Sequence, residues 1–191
     1  MNHLPNILTV LRIVLTLFFV AVISQEGLAP IVGAAVIFWA ASLTDFLDGY
    51  LAKKNNLVSS FGKIMDPIAD KFLILAAFFV FMRMHLVAAW MFVLIALREI
   101  LVTASRLIAI RQGRVLEAEK AGKYKTVAQI VVISVMLLFS ILRETVYGQN
   151  LNFDMLMNWQ MVIHFLMLVT VALTLFSGFS YLKGYRKVHY V

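Results

Sequence analysis

Apolar residues along the chain gather into six runs of membrane-spanning length, separated by short polar breaks. A helix needs about 20 predominantly apolar residues to cross a bilayer. Runs of that order occupy 7–24, 30–51, 64–82, 87–110, 127–142 and 159–181. The breaks fall at 25–27, 53–62, 83–85, 111–125 and 143–158, where charged residues, amides and glycine collect. No stretch keeps the two-residue alternation of a half-buried strand. No Pro- or Ser-rich linker divides the chain, and no internal repeat stands out. The pattern predicts a single all-α integral membrane domain over residues 1–191, with six transmembrane helices.

Composition agrees with the pattern. The chain is 62% hydrophobic and 14% charged, and its mean hydropathy is +0.91. Soluble domains run about 45–50% apolar and about 25% charged. A soluble chain of 191 residues could not hide that excess in one core. A soluble enzyme, a disordered chain and a free nucleic-acid-binding module are thereby excluded. The first apolar run has neither the basic flank nor the cleavage site of a signal peptide, so it is expected to stay in the mature protein.

The net charge of +7 is unevenly placed. One set of connections carries Lys53, Lys54, Lys63, Arg111, Arg114, Lys120, Lys123, Lys125, Lys183, Arg186 and Lys187, and the alternate set only Arg83 and Arg143. Basic loops stay on the cytoplasmic side. Both termini are therefore expected in the cytoplasm, with the break 53–62 at the cytoplasmic face of the inner membrane. There are no cysteines, so thiolate ligands and a Cys nucleophile are excluded. His3, His85, His164 and His189 are scattered, which argues against zinc.

Ionisable groups inside a span are costly, which makes each one a site candidate. The densest group is Asp45, Asp48, Asp66 and Asp70. The first two are three apart at the end of the second run, the last two four apart at the start of the third, so each pair shares a helix face. A short turn brings both faces to the same depth. Solvated loop acids, or ion pairs with Lys53, Lys54, Lys63 and Lys71, are the simpler readings. Loop acids, however, rarely hold helical spacing on both sides of a turn. Four crowded carboxylates repel unless cations neutralise them. An all-oxygen set suits two Mg²⁺ or Mn²⁺ ions, and a carboxylate-held two-metal site suits phosphoryl transfer. Gly49, Ala52 and Gly62 fit either close helix packing or close approach of a nucleotide diphosphate.

The segment Asp45-x2-Asp48-Gly49-x2-Ala52-Lys53-x8-Gly62-x3-Asp66-x3-Asp70 resembles the signature of the CDP-alcohol phosphatidyltransferases. The pattern fixes eight positions across 26 residues, and this chain departs from it at one. Members of that family transfer a phosphatidyl group from CDP-diacylglycerol to an alcohol and release CMP. The resemblance implies that Asp45, Asp48, Asp66 and Asp70 are metal ligands and that Asp70 is also the base for the acceptor hydroxyl. It implies contacts to CDP-diacylglycerol from Gly49, Ala52, Lys53, Ser59 and Gly62, with Asn6 and Thr9 from the N-terminal segment. The family usually has arginine where this chain has Lys53. Lysine keeps the charge and loses the bidentate fork.

The fourth run holds Arg98, Glu99 and Arg106. Glu99 and Arg106 are seven apart, about 20° from each other on a helix. One reading is a buried ion pair between Glu99 and one of the arginines, with the remaining cation facing a cavity. The connection that follows adds Gly122, Lys123, Tyr124 and Lys125. Its lysines fit either anionic lipid head groups or, with Arg106, an acceptor phosphate. The runs from Arg98 to Arg106 and from Gly122 to Gln129, and the opening Pro5-Asn6-Ile7-Leu8-Thr9-x2-Arg12, are similar to family members that use glycerol 3-phosphate. Glycerol 3-phosphate is therefore the expected acceptor, held by Arg106, Lys123 and Lys125. The expected partners are CDP-diacylglycerol, glycerol 3-phosphate and membrane lipids, with no nucleic acid; a homodimer is allowed. Rival readings are a family member with another acceptor, an intramembrane prenyltransferase and a divalent-cation transporter. A prenyltransferase would separate its aspartate clusters widely in sequence, and a transporter would place its acids near the midplane.

Overall fold

A computed structural model describes the backbone of residues 4–55, 60–111, 120–147 and 153–188, and the side chains of 10–44, 68–69, 71–105, 107–109, 124–145 and 158–181. Among the described residues there are six helices and no strand: α1 (Leu4–Ile23), α2 (Leu28–Asn55), α3 (Ser60–Arg83), α4 (Ala89–Arg111), α5 (Lys120–Tyr147) and α6 (Phe153–Val188). Each apolar run corresponds to one helix, the first ending one residue beyond α1 and the fourth starting two residues before α4. The helices are longer than the runs at several ends. α5 begins at Lys120, so the basic residues placed in a connection by hydropathy stand in its first two turns. α6 has 36 residues, about 54 Å of helix. Hydropathy marks only the lipid-facing part of a helix, whereas Lys, Gln, Glu and Arg extend helices well in a polar setting.

Tyr124–Thr145 and Asn158–Tyr181 are long and apolar enough to cross a membrane, and Val10–Ile23 and Leu28–Thr44 form shorter apolar helices. The surface is inverted relative to that of a water-soluble protein. Phe165, Phe176, Val36, Phe18 and Leu101 are exposed, while Arg12, Glu99, Lys125, Gln129 and Thr174 are buried. Apolar side chains turned outward with polar ones turned inward suit a lipid surround.

The chain divides into two compact units, Met1–Val80 with Leu137–Leu151, and Phe81–Met136 with Asn152–Val191. In the first, α1 and α2 form an antiparallel hairpin. The turn between them uses Gly27 at φ 103°, a left-handed conformation that favours glycine. Buried positions recur at alternating steps of three and four on both helices: Arg12, Thr16, Phe19 and Ile23 on α1, and Ile31, Ala34, Phe38 and Ala41 on α2. The Phe19 and Phe38 rings lie 5.9 Å apart, and Val22 Cγ1 stands 3.6 Å from the place a Cβ would occupy on Gly33. Alanine at 34 and 41 lets the helices approach closely, as small residues do in membranes. The Thr16 hydroxyl donates to the Arg12 carbonyl at 2.8 Å, so its burial leaves no polar atom stranded.

The second unit contains α4, the first part of α5 and α6. It begins at the end of α3, where Leu86 N–H donates to the Phe81 carbonyl and His85 N–H to the Met82 carbonyl, with His85 at φ 59°. These are the two bonds of a Schellman cap, and histidine is among the residues that tolerate the left-handed position. His85 thus serves a helix end. The core of the unit is Met91, Ile95 and Val102 on α4, Val132, Ile133 and Met136 on α5, and Ile163, Met167 and Val171 on α6.

Candidate active site

The four aspartates sit where two helices of the first unit end and begin. Asp45 and Asp48 lie in the last turns of α2, and Asp66 and Asp70 in the first turns of α3. Only residues 56–59 lie between these helices and outside the described residues. The register gives the four positions a common character. On α2 the buried series Ile31, Ala34, Phe38 and Ala41 continues at the same alternating spacing to Asp45 and then Asp48. On α3, Leu73, Ala77 and Val80 are buried, and stepping back by three and then four residues reaches Asp70 and Asp66. All four positions therefore continue, in register, the spacing of the buried residues on their helices. Random polar positions at a helix terminus would not keep that phase.

The side chains of these four aspartates lie outside the described residues, as do those of Asn6, Thr9, Gly49, Ala52, Lys53, Gly62, Arg106 and Lys123; Ser59 lies outside them entirely. Their backbone positions are clear. Asn6 and Thr9 are in α1, Gly49, Ala52 and Lys53 in the last turns of α2, and Gly62 in the first turn of α3. Arg106 is in α4 between the buried Val102 and Ala109, and Lys123 is in the first turn of α5. The donor set at 45, 48, 66 and 70 is all carboxylate oxygen. It fits a hard divalent ion such as Mg²⁺ or Mn²⁺ and not a soft one.

In the second unit the structure assembles a buried polar cluster around Glu99. The carboxylate Oε1 accepts from Lys125 Nζ, from Arg98 at 3.2 Å and from Gln129 Nε2 at 3.3 Å. Arg98 also donates to Ser177 Oγ on α6 at 2.7 Å. Glu99 and Lys125 are almost wholly buried and the Arg98 side chain is 10% exposed. Gly178 makes room for this arginine: a Cβ there would stand 3.1 Å from Arg98 Cγ. Charged groups at this depth persist only when paired and hydrogen-bonded.

The pairing refines two expectations. Glu99 does bind an arginine among the described residues, the adjacent Arg98, while the side chain of Arg106 lies outside them. Lys125, expected at an acceptor phosphate, has its ammonium on Glu99. Gln129 and Ser177 join the cluster although their sequence positions drew no site assignment. Gln129 lies one turn after Lys125 and could have been found from that spacing. Ser177 could not, because nothing in the chain pairs α6 with Arg98 before the fold does.

Known proteins give this arrangement a context. The family model for CDP-alcohol phosphatidyltransferase matches residues 2–176. A Bacillus subtilis (strain 168) protein named CDP-diacylglycerol--glycerol-3-phosphate 3-phosphatidyltransferase is 37% identical over 194 residues, covering 95% of this chain and 94% of its own length. A Rickettsia felis protein of the same name is 34% identical, covering 97% of each chain. A third with that name, from Treponema pallidum, is 30% identical over 96% of this chain and 89% of its own.

Proposed function

The chain belongs to the CDP-alcohol phosphatidyltransferase family, and on that premise we propose that it transfers the phosphatidyl group of CDP-diacylglycerol to glycerol 3-phosphate, giving phosphatidylglycerophosphate and CMP. The observation that carries this reading is the near end-to-end similarity to three proteins bearing that activity in their names. The family match runs through both compact units, which supports treating residues 1–191 as one catalytic domain.

Asp45, Asp48, Asp66 and Asp70 are the residues that would hold two Mg²⁺ or Mn²⁺ ions. When bound, such ions neutralise the diphosphate and the charge that develops on the entering and leaving oxygens. The chain's own residues supply the remainder. Lys53, Ser59, Asn6 and Thr9 bind the nucleotide end of CDP-diacylglycerol, and Gly49, Ala52 and Gly62 leave it room. Asp70 accepts the proton of a glycerol 3-phosphate hydroxyl. That oxygen bonds to the phosphorus bearing the diacylglycerol, and the bond from this phosphorus to CMP breaks, CMP leaving with the electron pair. Arg106, Lys123 and Lys125 hold the acceptor phosphate through charge-assisted contacts.

The six helices cross the inner membrane with both termini, and the aspartate ends of α2 and α3, on the cytoplasmic side. The lysine-rich ends of the helices support this orientation. The test is release of labelled CMP from CDP-diacylglycerol by purified protein in detergent. Glycerol 3-phosphate, inositol phosphate, serine and phosphatidylglycerol are offered separately. Turnover with glycerol 3-phosphate alone is expected, and turnover only with another acceptor overturns the assignment.

A further inference from the structure

Arg12 is a cation in an otherwise apolar helix, and it is 3% exposed. α1 contains no acidic residue, so the counter-charge for its guanidinium comes from another element. The hairpin register indicates which. Phe19 and Phe38 touch across the α1–α2 contact. Arg12 lies seven residues before Phe19, and Asp45 seven residues after Phe38. Seven residues are two helical turns and return to nearly the same face. In an antiparallel hairpin both steps lead toward the same end, so the position facing Arg12 is that of Asp45. The corresponding step between them on each helix is Thr16 and Ala41, both fully buried. The next step along each helix sets Thr9 level with Asp48. Of the other acids of the hairpin, Asp48 is thus one step beyond the level of Arg12, and Glu26 is exposed in the turn at the opposite end.

We infer that Arg12 is a positioning residue for Asp45: its guanidinium donates to one carboxylate oxygen and fixes the direction in which the other is offered to a divalent cation. The inference rests on the reading of Asp45 as a metal ligand and adds a residue to it. A ligand carboxylate is usually oriented by a hydrogen-bond donor behind it, and losing such a donor weakens metal affinity or activity about 10–100-fold. Arginine suits the task because its planar fork meets a carboxylate in a fixed geometry, which a lysine ammonium does not. The other cations of the hairpin, Lys53 and Lys54, stand at the end of α2, two turns beyond Asp45, and are not level with it.

The experiment measures Mn²⁺ binding to the purified, substrate-free full chain by electron paramagnetic resonance. It compares wild type, Arg12→Lys, Arg12→Gln and Asp48→Asn, with steady-state kinetics on the same preparations. Arg12→Gln is expected to weaken Mn²⁺ binding about 10–100-fold, and Arg12→Lys is expected to recover part of the loss. KM for glycerol 3-phosphate should stay at the wild-type value in both. If Arg12→Gln does not insert and fold, Arg12→Lys alone decides, with weaker Mn²⁺ binding than wild type as the supporting result. Wild-type Mn²⁺ affinity in the arginine variants, together with a raised KM for CDP-diacylglycerol, would overturn the inference and make Arg12 a substrate contact. A wild-type chain that binds no Mn²⁺, or an Asp48→Asn variant that binds it normally, would instead overturn the metal reading beneath it.

Discussion

Glu99 Oε1 accepts a hydrogen bond from Lys125 Nζ, joining α4 to α5 across 26 positions of sequence. Both side chains are buried, and Arg98 and Gln129 reach the same oxygen. A lysine so placed is held in a defined position by its carboxylate partner. For Lys125 to grip an acceptor phosphate, the phosphate must share the ammonium with Glu99 or draw it away. The carboxylate keeps two cations close together.

Removing the carboxylate leaves those cations in a buried place without their shared acceptor. Breaking a buried pair from one side costs about 3–5 kcal/mol. Glu99→Ala should lower the midpoint of thermal unfolding in detergent markedly. Removing both charges together in Glu99→Gln/Lys125→Met should cost less than the sum of the single changes. Additive losses would show that the two groups do not act as a pair.

The metal assignment makes a sharp demand on activity. Asp45→Asn, Asp48→Asn and Asp66→Asn should each abolish CMP release at ordinary Mg²⁺ while the protein still inserts. EDTA should silence the wild type, and added Mg²⁺ should restore it. Full activity after thorough chelation would rule out two-metal chemistry.

The proposed role of Asp70 as the base is tested separately. Asp70→Asn should depress kcat by about 10²–10⁴-fold, the usual range for losing a general base, with a smaller effect on CDP-diacylglycerol binding measured by equilibrium titration. Equal losses in binding and rate would leave Asp70 as a ligand only.

Arg106, Lys123 and Lys125 are tested through the acceptor. Charge-assisted hydrogen bonds contribute about 1.5–3 kcal/mol each. Alanine at any one of them should raise KM for glycerol 3-phosphate about ten-fold or more and leave KM for CDP-diacylglycerol near its wild-type value. Lys53→Arg is the contrasting variant, with its effect confined to the CDP-diacylglycerol side. If the alanine variants change only the dependence on anionic lipid, these cations anchor the protein to head groups.

Hydropathy located all six helices because the information is local: twenty apolar residues in a row have few other uses. It placed the helix ends poorly, as at Lys120–Lys125, because residues that leave the lipid core can remain helical. The aspartate segment was equally legible, since its three- and four-residue spacings are properties of a helix face. Spacing also showed that Glu99 needed a partner.

The choice of partner belonged to the tertiary structure. By charge either Arg98 or Arg106 could pair with Glu99, and the packing of α4, α5 and α6 set Arg98 and Lys125 on that carboxylate and brought Ser177 to the arginine. The same holds for Arg12, which the sequence presents as one cation in an apolar run. The contacts of Phe19 with Phe38 and of Val22 with Gly33 set the α1–α2 register, from which the inferred level of Arg12 with Asp45 follows. Helix periodicity is written in neighbouring residues, so the sequence by itself determined the helices and which residues share a face. The register between helices depends on how their surfaces interlock, through small residues at Ala34 and Ala41 and rings at Phe19 and Phe38. Those contacts come into existence only when the chain has packed.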